Sequence, residues 1–594
     1  VPQTLSRELA RFVEVQRAQG TRVRAAEALV VGAVTTTVLS LIFGVSIGLL
    51  GASGTFVAIM AADRAPVSRA RVLARLAGTY LVGVSAGALV AGSNPLLVTV
   101  TMAVVATVFS FGYHALLSDP PGPMLLITGA ATASYLPSLG VPVGLFIGVS
   151  ALALLIACAV ALLLAALRPR EAMTAKMTLL ASAVTDLEGA DRGSVDPDDL
   201  ARLRDAAFTA LFTAQAALVS SARRHRPDSD YHRDVEGRVI AWHRRLLESV
   251  RRDDLPWAQL DLDALATLHY LGGPREGYLL RWAFSLSSPP WLAARRTGLA
   301  VLVAGVAATT LSVSHPYWAI LTAALVLTAG ADRISSTHRA GHRVVGTALG
   351  IGVFIAIHAL HPGGAVVAVI VVGCIAITQL LAPRQYALAS MVLTPMALLM
   401  SSIHTPPAAL SGLLTNRILD TLIGALAALL VLWSPGANTP IVLVRRQFRR
   451  ALRALQQAIA VMADGDALTA AGLTARRNLH FEQLAAARVL AMARIDRPQT
   501  LAEWPHIEAA LGELTYTVLT AAWTTDPDGV LRWAVMDESL RALIADLPPV
   551  SSEPIDAVVT AVAVRHLLVL GRPDQWSVGG DCAGDMPTGG VPAD

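Results

Sequence analysis

Inside an otherwise apolar stretch, Thr415 to Leu430, the run TNRILDTLIGALAALL places Arg417 and Asp420 three residues apart. On a helix, residues i and i+3 share a face, so this pair can hold itself together, present a guanidinium to an anion, or carry a proton on its carboxylate. Each charge costs about 2.5–3.5 kcal/mol at the centre of a membrane helix. A buried ion pair kept only to fix helix register is often replaceable by apolar residues. Charges at this depth therefore point to the path of a charged solute, with a register-fixing pair as the alternative.

A second arrangement occurs twice. RVLARLAGT (Arg71 to Thr79) and RAGHRVVGT (Arg339 to Thr347) share the frame R-x3-R-x2-G-T, and each leads into an apolar, glycine-rich run. Helical spacing puts Arg71, Arg75, Thr79, Gly83 and Gly87 on one side, and likewise Arg339, Arg343, Gly346, Thr347 and Gly350. Small residues at four-residue steps let helices approach closely, so Gly78, Thr79, Gly83, Gly87, Gly346, Thr347, Gly350 and Gly424 are the expected packing positions. The arginines either attract anions at a mouth or anchor the helix ends to lipid phosphates. His315, His358, His361 and His404 fall at predicted span ends, and without accompanying acids or cysteines they suggest polar helix ends and no metal site.

The elements that must position these residues are membrane helices. The chain is 54% hydrophobic and 15% charged, with a mean hydropathy of +0.56. About twelve windows are long and apolar enough to cross a bilayer. They lie near 25–43, 45–62, 73–91, 96–113, 122–138 and 142–167, then near 297–313, 316–331, 344–361, 364–382, 386–402 and 408–433. Only helices satisfy their backbone in lipid with segments of this length, so an all-α integral membrane fold of two tandem halves, each of about six helices and each followed by a helical domain, is expected.

The expected division is an N-terminal segment (1–24), a first transmembrane half (25–167), a first helical cytoplasmic domain (168–293), a second transmembrane half (294–434), a second helical cytoplasmic domain (435–570) and a disordered tail (571–594). Arginines cluster on one side of the windows, at Arg64 to Arg75, Arg333 to Arg343 and Arg445 to Arg450, and the opposite loops hold none. By the positive-inside rule both termini and both polar blocks are cytoplasmic. Acids interleave with the arginines of those blocks, so inner-leaflet contact is expected and nucleic acid is not. Lys176 is the sole lysine and no phosphate-binding loop surrounds it, which argues against an ATP-driven pump. Nor do nucleophile, base and orienting group assemble into any enzyme motif.

Three stretches in order, HPYWAILTAALVLTAG (His315 to Gly330), R-x3-R-x2-G-T-x2-G (Arg339 to Gly350) and R-x2-D-T-x2-G-A (Arg417 to Ala425), resemble the fusaric acid resistance protein family of inner-membrane exporters. The membrane layout is also similar to plant aluminium-activated malate transporters, which are dimeric anion channels. The resemblance implies export of organic anions, aromatic carboxylic acids in particular, from a bacterial inner membrane, with Trp318, Arg339, Arg343, Arg417 and Asp420 at matching positions. It calls for no cofactor. A lipid bilayer and a small organic anion are the implied partners, and a homodimer or a periplasmic adaptor is compatible with the plan. The first half departs from the pattern, since IGLLGASGTF (Ile47 to Phe56) lacks the tryptophan and the sixth window lacks Arg and Asp. Most of the chemistry is therefore expected from the second half. The competing functions are a passive anion channel and a non-transporting envelope scaffold.

Overall fold

The computed structural model describes residues 21–570 apart from 52–53, 63, 65, 117–121, 136–139, 169, 191–194, 223–229, 251–258, 261–270, 286–287, 314, 329–331, 403–409, 435–438, 522, 526–528 and 551–553. His404, the tail and most of the N-terminal segment lie outside the described residues. The described chain divides into two compact units, Val1–Met173 with Arg275–Ala437, and Thr174–Pro274 with Asn438–Asp594.

The first unit begins with α1 (Thr21–Phe43), α2 (Val45–Gly51), α3 (Thr55–Ala58), α4 (Pro66–Val90), α5 (Pro95–Leu116), α6 (Met124–Ala133) and α7 (Val143–Leu167). The chain then runs through α8 (Glu171–Glu188), α9 (Pro197–Ala222), α10 (Asp230–Val250) and β1 (Gln259–Leu260). It returns to the first unit with α11 (Glu276–Ala283), α12 (Pro289–Thr310), α13 (Pro316–Leu327), α14 (Arg333–Ala359), α15 (Gly364–Leu381), α16 (Tyr386–Ser402) and α17 (Leu410–Trp433). The remainder is α18 (Thr439–Ala463), α19 (Ala470–Asp496), α20 (Trp504–Ala521), β2 (Thr524–Thr525), α21 (Gly529–Asp546) and α22 (Ala557–Leu570). The protein is thus an all-α integral membrane protein; its described β-structure is one two-residue antiparallel pair, β1 with β2.

Local sequence sets these boundaries. Ser288 caps α12, its hydroxyl accepting from the Trp291 amide at 3.2 Å, and two prolines follow at positions that need no amide donor. Asp332 caps α14 in the same way, accepting from the Ser335 amide at 2.7 Å. Gly44, at φ 83°, separates α1 from α2, a conformation that glycine adopts without a Cβ clash.

Eight of the described helices, α1, α4, α5, α7, α12, α14, α15 and α17, are long and apolar enough to cross a membrane. Three of the other four apolar windows hold shorter described helices, and the fourth is filled by a helix of 17 residues. The window 45–62 holds the described helices α2 and α3, of seven and four residues, 122–138 holds the 10-residue α6, 316–331 the 12-residue α13, and 386–402 the 17-residue α16. At about 1.5 Å per residue, α6 rises only about 15 Å, half of a hydrocarbon core. The second window of each half and the fifth of the first hold the short helices, so the internal repeat extends to helix length at the second window.

Packing repeats as well. In the first half α4 packs on α6 and α7, and α1 on α7; in the second, α14 packs on α16 and α17, and α12 on α17. The halves then exchange partners, α1 lying against α15 and α12 against α5, so each half completes the other. The outward faces stay apolar, with Leu41, Leu89, Leu155 and Val369 exposed, as a lipid-facing surface requires.

The second unit draws on the polar block after the first half and the one after the second. α9 packs on α20, Arg494 pairs with Asp198 at 2.8 Å, and the Tyr516 hydroxyl donates to Asp205.

Candidate functional site

The short helices of both halves meet around a cavity of about 190 Å³ in the first unit. α3 supplies Phe56, α6 Thr128, α13 Trp318 and α16 Met396; the longer α14 and α17 add Arg343 and Arg417. Unusually short helices at matching positions of two repeats are where a membrane protein exposes polar groups to a solute, because backbone and side chains there face a cavity and not lipid. The lining is mostly apolar. Among its described residues no carboxylate offsets the two guanidinium groups.

Arg417 is buried, with its guanidinium carbon 4.5 Å from the centre of the Trp318 ring, and its Nε has no hydrogen-bond partner. Arg343 is also buried, and its Nε and one Nη are unpartnered. Trp433 at the end of α17 donates to Thr337 near the start of α14 at 3.2 Å, which gives the two helices a common level. Counting about 1.5 Å per residue from there, Arg343 stands about 9 Å along α14 and Arg417 about 24 Å along α17. The cavity therefore has two cationic stations at different depths.

Four rings surround the Arg417 station. Tyr135 and Tyr317 stack at 4.8 Å, His315 stacks on Trp318 at 4.9 Å, Tyr135 meets His315 at 5.0 Å, and Tyr317 leans on Trp318 at 5.4 Å. The Tyr317 hydroxyl is held by Ser401. Tyr135 follows α6 in the first half, so the aromatic cluster is built by both halves. Trp318 was expected from sequence; the parts of Tyr135, Phe56, Tyr80 and Thr128 were not. A tyrosine at the end of an apolar window carries no pattern that singles it out, although His315 and Tyr317 did stand beside Trp318 in the first of the three family-like stretches.

The remaining predicted residues take varied places. Asp420 is buried but is not part of the lining, and neither of its oxygens accepts a hydrogen bond, so it does not pair with Arg417 as the spacing allowed. Arg339 stands outside the described lining, its guanidinium 4.8 Å from the centre of the Tyr386 ring. Arg71 and Arg75 are exposed; Arg75 pairs with Glu276 of α11 at 2.5 Å. Among the described residues of the first half, the buried arginine is Arg69 instead. It pairs with Glu27 of α1 and donates to the Ala58 carbonyl at 3.0 Å, tying the short α3 to α1 and α4. The carboxylate of Glu27 inside the first apolar window was the signal for that clamp.

Close packing involves five of the eight predicted small residues. A Cβ on Gly346 would lie 2.5 Å from the Ala387 carbonyl oxygen, and one on Gly350 would lie 2.7 Å from the Thr394 Cβ. Pro395 has no amide to bond the Met391 carbonyl, and that freed oxygen rests against Gly350. Gly83 and Gly87 form the corresponding seam against Phe109 and Ala130, and Gly424 packs on Ala319 and Thr322. Gly78, the motif counterpart of Gly346, has nothing within 4 Å, and Thr79 is turned back to bond the Arg75 carbonyl. Thr347 is buried with its hydroxyl unpartnered. In the first half the helix opposite is the shorter α6, and the seam begins one turn further along α4. His358 stacks on Phe354 at 5.4 Å and lies 6.2 Å from His361.

Fold and cavity define a multi-pass, all-helical membrane protein with an arginine-bearing chamber between two repeats. Residues 301–431, which include α13, α14 and the arginine-bearing part of α17, match the family described as Fusaric acid resistance protein-like. The chain is also 31% identical over 163 residues to the uncharacterized membrane protein YvaC of Bacillus subtilis (strain 168), an alignment covering 27% of this chain and 26% of that protein. The chain thus spans about a quarter of that relative's length. No solved structure matches.

Proposed function

We propose that this protein is a transporter, and not an enzyme, that carries small organic anions, aromatic carboxylates by class, out of the cell through the central cavity. The observation that carries this is the pair of buried guanidinium groups, Arg343 and Arg417, in an apolar chamber whose described lining holds no acid. Guanidinium is the side chain best matched to a carboxylate, and an anion is the partner that these unpaired donors lack. An apolar cavity of about 150 Å³ holds benzene; at about 190 Å³ the chamber suits one ring with a carboxyl group. The rings around Arg417 favour an aromatic body.

The direction follows from charge. With the arginine-rich loops cytoplasmic, in a bacterial inner membrane negative inside, the potential drives an anion outward by about 2.3 kcal/mol per charge per 100 mV. The same force would serve a passive anion channel, and the absence of a lining carboxylate favours that as the second reading. Proteoliposomes loaded with benzoate, with a potassium-diffusion potential imposed, test both. Saturable benzoate efflux with competition among aromatic acids supports the transporter, non-saturating current supports the channel, and the absence of benzoate movement of either kind sinks both.

A further inference from the structure

Asp420 is a buried charge that the cavity does not use. It lies three residues from Arg417 on α17, is fully buried, and has two oxygens without a donor. Arg417 is turned to the face of Trp318 instead. An ionised carboxylate left dry and without a counter-ion is costly, whereas the neutral acid is far less so. The groups around it are few. On α17 the charge acting on it is Arg417; α13 brings Tyr317, and α14 brings Arg343, which acts on Arg417 in turn. The charged residues of α12 are Arg295 and Arg296, in its first turns.

Resting on the proposal that the cavity receives a carboxylate, we infer that Asp420 is a protonable competitor of the substrate for Arg417. As the neutral acid it leaves the guanidinium to the bound anion. As a carboxylate, one helical turn away, it takes the guanidinium for itself. When the anion enters, its carboxylate accepts N–H groups from Arg417 and Asp420 gains one proton from water; when the anion leaves, that O–H bond breaks and the proton returns to water. The sign of the coupling is set by electrostatics, because a bound negative charge favours the protonated form of a neighbouring acid. Proton and anion are therefore held together, so this pair does not drive an exchange of one for the other. Loaded with both, the site carries no net added charge, so the potential that drives a bare anion outward does not act on the pair, and the substrate's own gradient, working against any pH gradient acid outside, sets the direction of coupled movement.

Calorimetric titration of the full chain in lipid nanodiscs with benzoate, between about pH 6 and pH 8 in two buffers of different ionisation enthalpy, tests this. The wild type is expected to take up close to one proton per anion, with affinity falling toward tenfold per pH unit once Asp420 is ionised in the empty protein. Asp420→Asn is expected to bind benzoate with no proton uptake and a flat pH profile. Benzoate binding by the wild type without proton uptake overturns the inference and leaves the anion cavity standing. Equal proton uptake by Asp420→Asn overturns it as well. If the wild type does not bind benzoate at any pH, it is the anion cavity that fails. The wild-type proton count decides the matter even where the variant does not fold.

Discussion

Replacing Arg417 by glutamine separates a functional cation from a structural one. In a protein where a buried arginine holds the fold together, its removal costs stability, commonly 3–5 kcal/mol when an ionised partner is left behind. With Asp420 in its neutral form, Arg417 has no such partner. Its Nε is unpaired, its guanidinium rests on Trp318, and Asp420, three residues along, does not bond to it. Removing the charge forfeits a cation–π contact of about 2 kcal/mol in a desolvated setting and relieves a burial cost of about 2.5–3.5 kcal/mol. Thermal stability should therefore hold or rise slightly. Binding should behave in the opposite way. A hydrogen bond to a charged group contributes about 1.5–3 kcal/mol, so benzoate affinity should fall by about 10- to 150-fold, while uncharged benzamide, of the same shape, should bind the two proteins alike. Calorimetric titration with the two ligands and thermal unfolding in the same nanodiscs give all of these quantities. Equal weakening for benzoate and benzamide, or a large loss of stability with no change in benzoate affinity, would refute the assignment of Arg417 as the anion receptor.

Three further outcomes are expected. Gly350→Val should cost about 1–3 kcal/mol through overpacking against Thr394 and the Met391 carbonyl, whereas Gly78→Ala, with open space around it, should be neutral or slightly stabilising by thermal unfolding. Arg69→Met should destabilise by several kcal/mol by leaving Glu27 buried and unpaired, and adding Glu27→Gln should recover most of the loss, a double-mutant cycle that fails if the two effects simply add. In the second unit, burial raises the Asp205 carboxyl to about 6 against the hydrogen bond from Tyr516. A raised acid stabilises the fold below its unfolded value near 4 and withdraws that support as pH climbs through about 6, by at most about 3 kcal/mol. Asp205→Asn should thus slow hydrogen exchange in α9 and α20 at pH 8 and leave it unchanged at pH 4.

Much of the plan was legible because membranes impose strong rules. Charge-free windows and a repeated arginine-glycine frame are local in sequence, and lipid restricts the structures that they can form to helices. Arg417 and Asp420 stood out for the same reason, since a charge among leucines is costly wherever the helix packs. Less was legible where two halves touch. Arg75 and Arg343 occupy the same motif position, yet one pairs with Glu276 at the surface and the other lines the cavity.

From its sequence alone this protein was determined to be a duplicated helical membrane protein with costly charges in its second half, because hydrophobic length and charge depth depend on composition along one segment. Tertiary structure decided the rest. It shortened the second helix of each half and the fifth of the first, exchanged α1 and α12 between halves, brought Tyr135 to Tyr317, and kept Asp420 apart from Arg417. These depend on which surfaces meet across hundreds of residues, and an apolar window reads the same whether it crosses a bilayer or stops halfway at a cavity.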